Sequence, residues 1–94
     1  MLKFEWDDKK NKANIQKHGI SFEEASSVFQ DDEALIIVDE AHSQKEERFV
    51  LIGYSYRANL LVVCHCYRKK DSIIRIISAR KASRQERKEY TDRL

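Results

Sequence analysis

The chain has 94 residues, of which 41% are hydrophobic and 36% charged, with a formal net charge of +2. A chain of that length makes one small domain with a thin core, spanning residues 1–94, and its apolar fraction excludes simple disorder. The charge is split: Met1–Glu47 holds 6 Lys/Arg against 12 Asp/Glu, and Arg48–Leu94 holds 12 against 4, so the halves carry −6 and +8 and a polyanion suits the second.

Met1–Asp8 is charged from its third residue, unlike a signal peptide. Leu2-Lys3-Phe4-Glu5-Trp6 alternates apolar and polar, predicting a short strand with one buried face. Asp7 or Asp8 caps a helix running to about His18, and Gly19 supplies the left-handed stop. Only Ala13 and Ile15 are apolar inside it, so its packed stripe (Asn11, Asn14 or Ile15, His18) has to use polar groups. Ser21-Phe22-Glu23-Glu24 reads as a capping box, in which the Ser21 hydroxyl and the Glu24 carboxylate exchange backbone hydrogen bonds. Phe22, Ala25, Val28 and Phe29 make the helix that follows amphipathic to about Gln30.

From Ala34 the period changes to two. Ala34–Asp39, Arg48–Tyr56, Leu60–Arg68 and Ser72–Ala79 read as strands, with Glu40–Glu47 an exposed polar loop. Arg57-Ala58-Asn59 and Lys69-Lys70-Asp71 read as hairpin turns, which makes the last three strands an antiparallel meander. The longest apolar run, Leu60–Cys64, is far too short to span a bilayer, so a cytoplasmic protein without membrane contact is expected. Ser83-Arg84-Gln85-Glu86 repeats the capping-box pattern and opens a basic helix to about Arg93. The order β-α-α-β-β-β-β-α predicts an α+β fold, with helices packed against a mostly antiparallel sheet.

Chemistry-bearing residues gather in the basic half. Arg75 lies between Ile73 and Ile77 on one strand face, where it either meets a carboxylate of Glu5 or Asp39 or points into a groove. Arg80, Arg84 and Arg87 follow helical spacing, with Lys81 beside them; they suit a phosphate cradle at a helix start, or else a solvated face laced with pairs such as Glu89–Arg93. Among the histidines, His18 closes a helix, and His42 lies in a charged loop that says little. His65 sits mid-strand next to the Arg75 strand and is the candidate for proton transfer. Cys64 and Cys66 sit about 6.6 Å apart on a strand with His65 facing the other way, a poor geometry for a disulfide or a chelate, so both are expected to be reduced packing residues. Glycine-rich phosphate loops, nucleophile elbows and zinc spacings are absent from the sequence, and no cofactor is expected.

Several blocks resemble the BrnT toxin family. They are Lys3-Phe4-Glu5-Trp6-Asp7, Asn14 with Lys17-His18-Gly19-Ile20-Ser21-Phe22-Glu23-Glu24-Ala25, Glu47-Arg48-Phe49, and Arg75-Ile76-Ile77-Ser78-Ala79-Arg80-Lys81-Ala82 with Glu86-Arg87 and Tyr90. The resemblance implies a RelE-like fold and a ribonuclease that stops translation by cutting mRNA, on the ribosome or off it. It also implies a cognate BrnA-like antitoxin, whose ribbon-helix-helix segment would bring the only DNA contact, and a heterotetramer of the two.

On this reading Arg75 and Arg80 hold the scissile phosphate, His65 acts as general acid or base, and no metal is needed. Arg68, Lys81, Arg84 and Arg87 position flanking phosphates, while Tyr90 or Tyr67 stacks an unpaired base. A non-catalytic nucleic-acid-binding module, or a surface that docks an acidic partner protein, accounts for the charge split as well.

Overall fold

The period-two segments assemble into a five-stranded sheet in the computed structural model, which describes residues 2–94. The elements are β1 (Lys3–Glu5), α1 (Asp8–His18), α2 (Phe22–Ser27, prolonged by a 3-10 turn at Val28–Gln30), β2 (Leu35–Val38), β3 (Phe49–Tyr54), β4 (Leu60–Arg68), β5 (Ile73–Lys81) and α3 (Arg84–Asp92). The expected α+β order holds. Strands lie in the order β1-β5-β4-β3-β2, with β2 to β5 antiparallel and β1 parallel to β5.

Caps, not an apolar stripe, set the limits of α1. The Asp7 carboxylate accepts the Lys9 and Lys10 N–H groups, and Gly19, at φ 72°, donates its own N–H to the Ile15 carbonyl. The helix docks through amides. Buried Asn14 donates to the carbonyls of Ile20 and Ala79 at 2.9 and 2.8 Å and accepts the Ala79 N–H at 3.1 Å, while Asn11 accepts the Phe22 N–H at 2.8 Å. Buried backbone groups left unpaired cost about 1–3 kcal/mol each, so these amides let a hydrophilic helix sit on the sheet.

Only half of the first capping box forms. Ser21 Oγ accepts the Glu24 N–H at 3.0 Å, but the Glu24 carboxylate turns inward and accepts the Ser55 hydroxyl at 2.7 Å and the Asn59 amide at 2.8 Å. The β3–β4 hairpin supplies two donors to a buried carboxylate, and these outweigh one exposed cap bond. At Ser83 the box is complete.

Ile20, Phe22, Ala25 and Val28 pack on one face of the sheet against Leu51, Leu61, Val63, Ile76 and Ala79. On the other face Tyr90 of α3 covers Ile52, Leu60 and Val62. Asp31 fixes that helix: its Oδ2 accepts the Tyr90 hydroxyl at 2.7 Å and the Tyr54 N–H at 2.9 Å. Gly53 makes room for the arrangement, since a Cβ there would sit 3.0 Å from Asp31 Oδ2, Ala34 Cβ and Val28 Cγ1.

Beyond α3 the second face stays open, and a bulge decides what it displays. Cys64 pairs with Ser78 but His65 pairs with Ile76, which leaves Ile77 as an extra residue on β5. The extra residue reverses side-chain parity. Ile76 faces the helical layer before it and Ala79 after it. Arg75 and Arg80, an odd number of residues apart, therefore emerge on the same open face.

Candidate active site

The segment joining β2 to β3 is closed by its own hydrogen bonds. The Asp39 N–H donates to the Arg48 carbonyl at 2.8 Å, and Ser43 Oγ both donates to the Asp39 carbonyl at 2.6 Å and accepts the Arg48 N–H at 3.0 Å. A 3-10 turn at Glu40–His42 brings the imidazole back over Asp39, with Nδ1 3.0 Å from Oδ2. A carboxylate partner needs an N–H, so Nδ1 carries the proton and Nε2 is the proton-accepting nitrogen of the neutral ring.

His42 and Arg48 meet Arg80 at an open cleft of about 240 Å³, lined also by Asp39, Cys64 and Ser78. The Arg48 Nε is buried without a hydrogen-bond partner. Among the described residues no carboxylate forms a salt bridge with this guanidinium. Buried donors in folded proteins are normally satisfied by protein or by water. Burial pushes the Cys64 thiol up, and Asp39 adds to the effect, so that sulfur stays protonated.

Arg80 meets Glu86 fork to fork, Nη1 to Oε1 at 2.7 Å and Nη2 to Oε2 at 2.8 Å. Hydrogen bonds from Arg80, helped by those of Ser83, hold the Glu86 carboxyl at about 2. An end-on pair uses one hydrogen from each terminal nitrogen. It leaves the side edge of the guanidinium, Nε–H and the second Nη2 hydrogen, able to make another bidentate contact.

The remaining expected site residues divide between pairs, solvent and core. Of the two roles open to Arg75, the ion pair is the one formed: it donates to Glu5 Oε2 at 2.6 Å, its register partner on β1, outside the cleft. Arg68 pairs with Glu46 at 3.4 Å, and Arg87 reaches the Tyr54 hydroxyl at 3.4 Å. Lys81 and Arg84 are exposed. The stripe of Arg80, Arg84 and Arg87 does not form, because the Ser83 box starts the helix after Arg80 has left it in β5. Tyr90 is only 4% exposed and packs edge-on to Tyr54, so its ring offers no stacking surface.

His65 does not join the arginines. Its ring is fully buried on the helical face, 4.8 Å from Phe29, 5.4 Å from Tyr67 and 6.0 Å from Phe49 between centroids. Its Nδ1 lies 3.2 Å from the Val63 carbonyl, its Nε2 has no partner, and burial pulls its pKa down, so the ring is neutral. Even spacing with Val63 and Phe49 pairing put it there. The structure therefore does not bring His65 together with Arg75 and Arg80. Arg48 and the Asp39–His42 pair escaped the sequence reading; the spacing of three between an acid and a histidine at a helical turn was the available signal. Cys64 and Cys66 are both free thiols.

A family model described as "Ribonuclease toxin, BrnT, of type II toxin-antitoxin system" matches residues 6–86. Among solved structures, the chain is similar to the 1.1 Å crystal structure of the Brucella abortus ribonuclease toxin BrnT. The two are 24% identical with a TM-score of 0.68, over 89% of this chain and 100% of that one, which is a likeness of fold. No curated protein matches the sequence.

Proposed function

Since the chain belongs to the BrnT family of ribonuclease toxins of type II toxin–antitoxin systems, we propose that it cuts RNA in the cleft between the 39–48 segment and β5. The observation that carries this reading is the convergence of two guanidinium groups, Arg48 and Arg80, with the Asp39-paired imidazole of His42 on one cleft. A phosphodiester is the kind of anion that paired guanidinium groups suit.

The RNA supplies its own nucleophile. The 2′ oxygen loses its proton and bonds to phosphorus, the bond from phosphorus to the 5′ oxygen breaks, and a proton is delivered to that oxygen. The products are a 2′,3′-cyclic phosphate and a 5′-hydroxyl. Arg48 and the side edge of Arg80 stabilise the charge that builds on the phosphorane, an effect worth about 3–4 kcal/mol for a well-placed donor. His42 Nε2 takes or returns the proton, with Asp39 steadying the imidazolium, a role worth roughly 10²–10⁴ in rate. In this reading the base, the acid and the charge stabilisation all come from side chains, and no metal ion is called on. Lys81, Arg84 and Arg87 steer flanking phosphates, more weakly as salt rises.

The neutralising partner in this reading is a BrnA-like antitoxin, with contact to DNA only through that partner and a heterotetramer as the assembly. Incubating the purified protein with end-labelled RNA in EDTA tests the function: fragments ending in a 2′,3′-cyclic phosphate accumulate with time. Salt-sensitive retention of intact RNA would make the chain a binder and not an enzyme.

A further inference from the structure

β2 is an edge of the sheet, with no strand on its outer side among the described residues. Leu35 packs with the cluster under α3, but Ile36, Ile37 and Val38 remain 52%, 42% and 45% exposed. Edge strands are usually blunted by a charge, a proline or a bulge, because their free N–H and C=O groups template further pairing. None of these devices falls within Leu35-Ile36-Ile37-Val38. The charge lies just outside, where residues 31–40 hold five carboxylates and no lysine or arginine. A neighbouring cleft repeats the composition, lined by Phe49 and Tyr67 together with Glu46, Glu47 and Asp71. Phe49 is the register partner of Val38, so the two apolar areas adjoin.

We propose that β2 accepts an added strand from a basic protein partner, an extended segment of apolar side chains flanked by lysine or arginine, contributed by the neutralising antitoxin. The inference rests on the reading of this chain as an antitoxin-controlled toxin. Main-chain hydrogen bonds would supply affinity, and the acidic flanks would select a partner with cationic ends. A second copy fits poorly: an antiparallel β2–β2 pair centred on these residues sets Glu33 of each copy against Glu40 of the other, and like charges directly opposite are destabilising. The same carboxylates repel RNA. Asp39 follows Val38 directly, so a strand laid on β2 abuts the turn that carries His42 and reaches the cleft through it.

The experiment uses the full chain and the purified product of the adjacent small gene, the antitoxin that such a pair encodes. Binding should slow amide exchange at residues 35–38, and Ile36→Lys with Val38→Lys should weaken it about 100-fold. Both side chains are exposed, so the variant keeps its melting temperature and its free RNA-cleaving rate. Equal affinity for variant and wild type, with unchanged exchange at β2, overturns the edge pairing and leaves the antitoxin reading standing. Failure of the wild type to bind removes that reading and the inference together. A dimer of the isolated chain with β2 already protected assigns the edge to a second copy and overturns the proposal.

Discussion

Arg80 and Glu86 are joined end to end by two hydrogen bonds of 2.7 and 2.8 Å, across the junction where β5 gives way to α3. Glu86 also accepts the Ser83 N–H at 2.8 Å, so one carboxylate completes the helix cap and orients the arginine. The pair holds the guanidinium plane still while leaving its side edge unused. A phosphate arriving there finds a preset donor, which is how electrostatic stabilisation avoids reorganisation during the reaction.

This pair makes the fold acid-sensitive in a defined window. Glu86 falls from its ordinary 4.5 to about 2 through its bonds to Arg80 and Ser83. A depressed carboxyl stabilises the folded state above its unfolded pKa and stops doing so as pH drops through the folded value. Stability should therefore decline between pH about 4.5 and about 2, and Glu86→Gln should flatten that part of the profile. Denaturant titrations across the range measure it; identical acid slopes for the two proteins would contradict the assignment.

His42 and Asp39 should separate chemistry from binding. Replacing His42 with Asn should slow single-turnover cleavage by about 10²–10⁴ while leaving RNA affinity unchanged. Asp39→Asn should slow it less, because the imidazole remains and only its orientation and charge partner are lost. Cleavage at the wild-type rate by the His42 variant would remove it from the mechanism.

His65 should be replaceable. Its Nε2 is buried without a partner, so exchanging the ring for an apolar side chain of similar bulk removes an unsatisfied nitrogen. His65→Leu is expected to keep full RNA cleavage and to change the melting temperature little. Loss of cleavage in a folded variant would return His65 to the active site.

The hairpin between β4 and β5 turns through Lys69, Lys70 and Asp71, all left-handed, with φ of 48°, 55° and 69°. Each such residue costs roughly 1–2 kcal/mol, part of which glycine would recover after its own loss of chain entropy. Lys70→Gly should raise stability by about 0.5–1 kcal/mol, read as a higher melting temperature. A lower one would show that the turn is not strained.

Local signals were legible in the chain before its packing was known. Asp7, Gly19 and Ser83 mark helix ends whose hydrogen bonds close within a few residues, and the polar stripe of α1 announced Asn11 and Asn14. The Arg75–Glu5 pair was one of two readable choices, since residue type and strand face both allowed it. Features that depend on distant partners left little trace. Glu24 carries the signature of a capping box yet points at Ser55 and Asn59 from a hairpin thirty-odd residues away. The bulge at Ile77 is one more apolar residue in a run of them, yet it decides that Arg80 shares a face with Arg75. Arg48 looked like a strand start; its place on the cleft depends on the fold of the 39–48 segment, which Ser43 closes by bonding the Asp39 carbonyl and the Arg48 N–H.

The most direct test of the account is the single-turnover cleavage rate of Arg48→Ala at saturating RNA. The guanidinium makes no internal salt bridge among the described residues, so the variant should fold and melt like the wild type. The rate is expected to fall by about 10²–10³, the loss that follows removal of one transition-state donor. A wild-type rate in that variant would mean that the cleft between the 39–48 segment and β5 is not where RNA is cut.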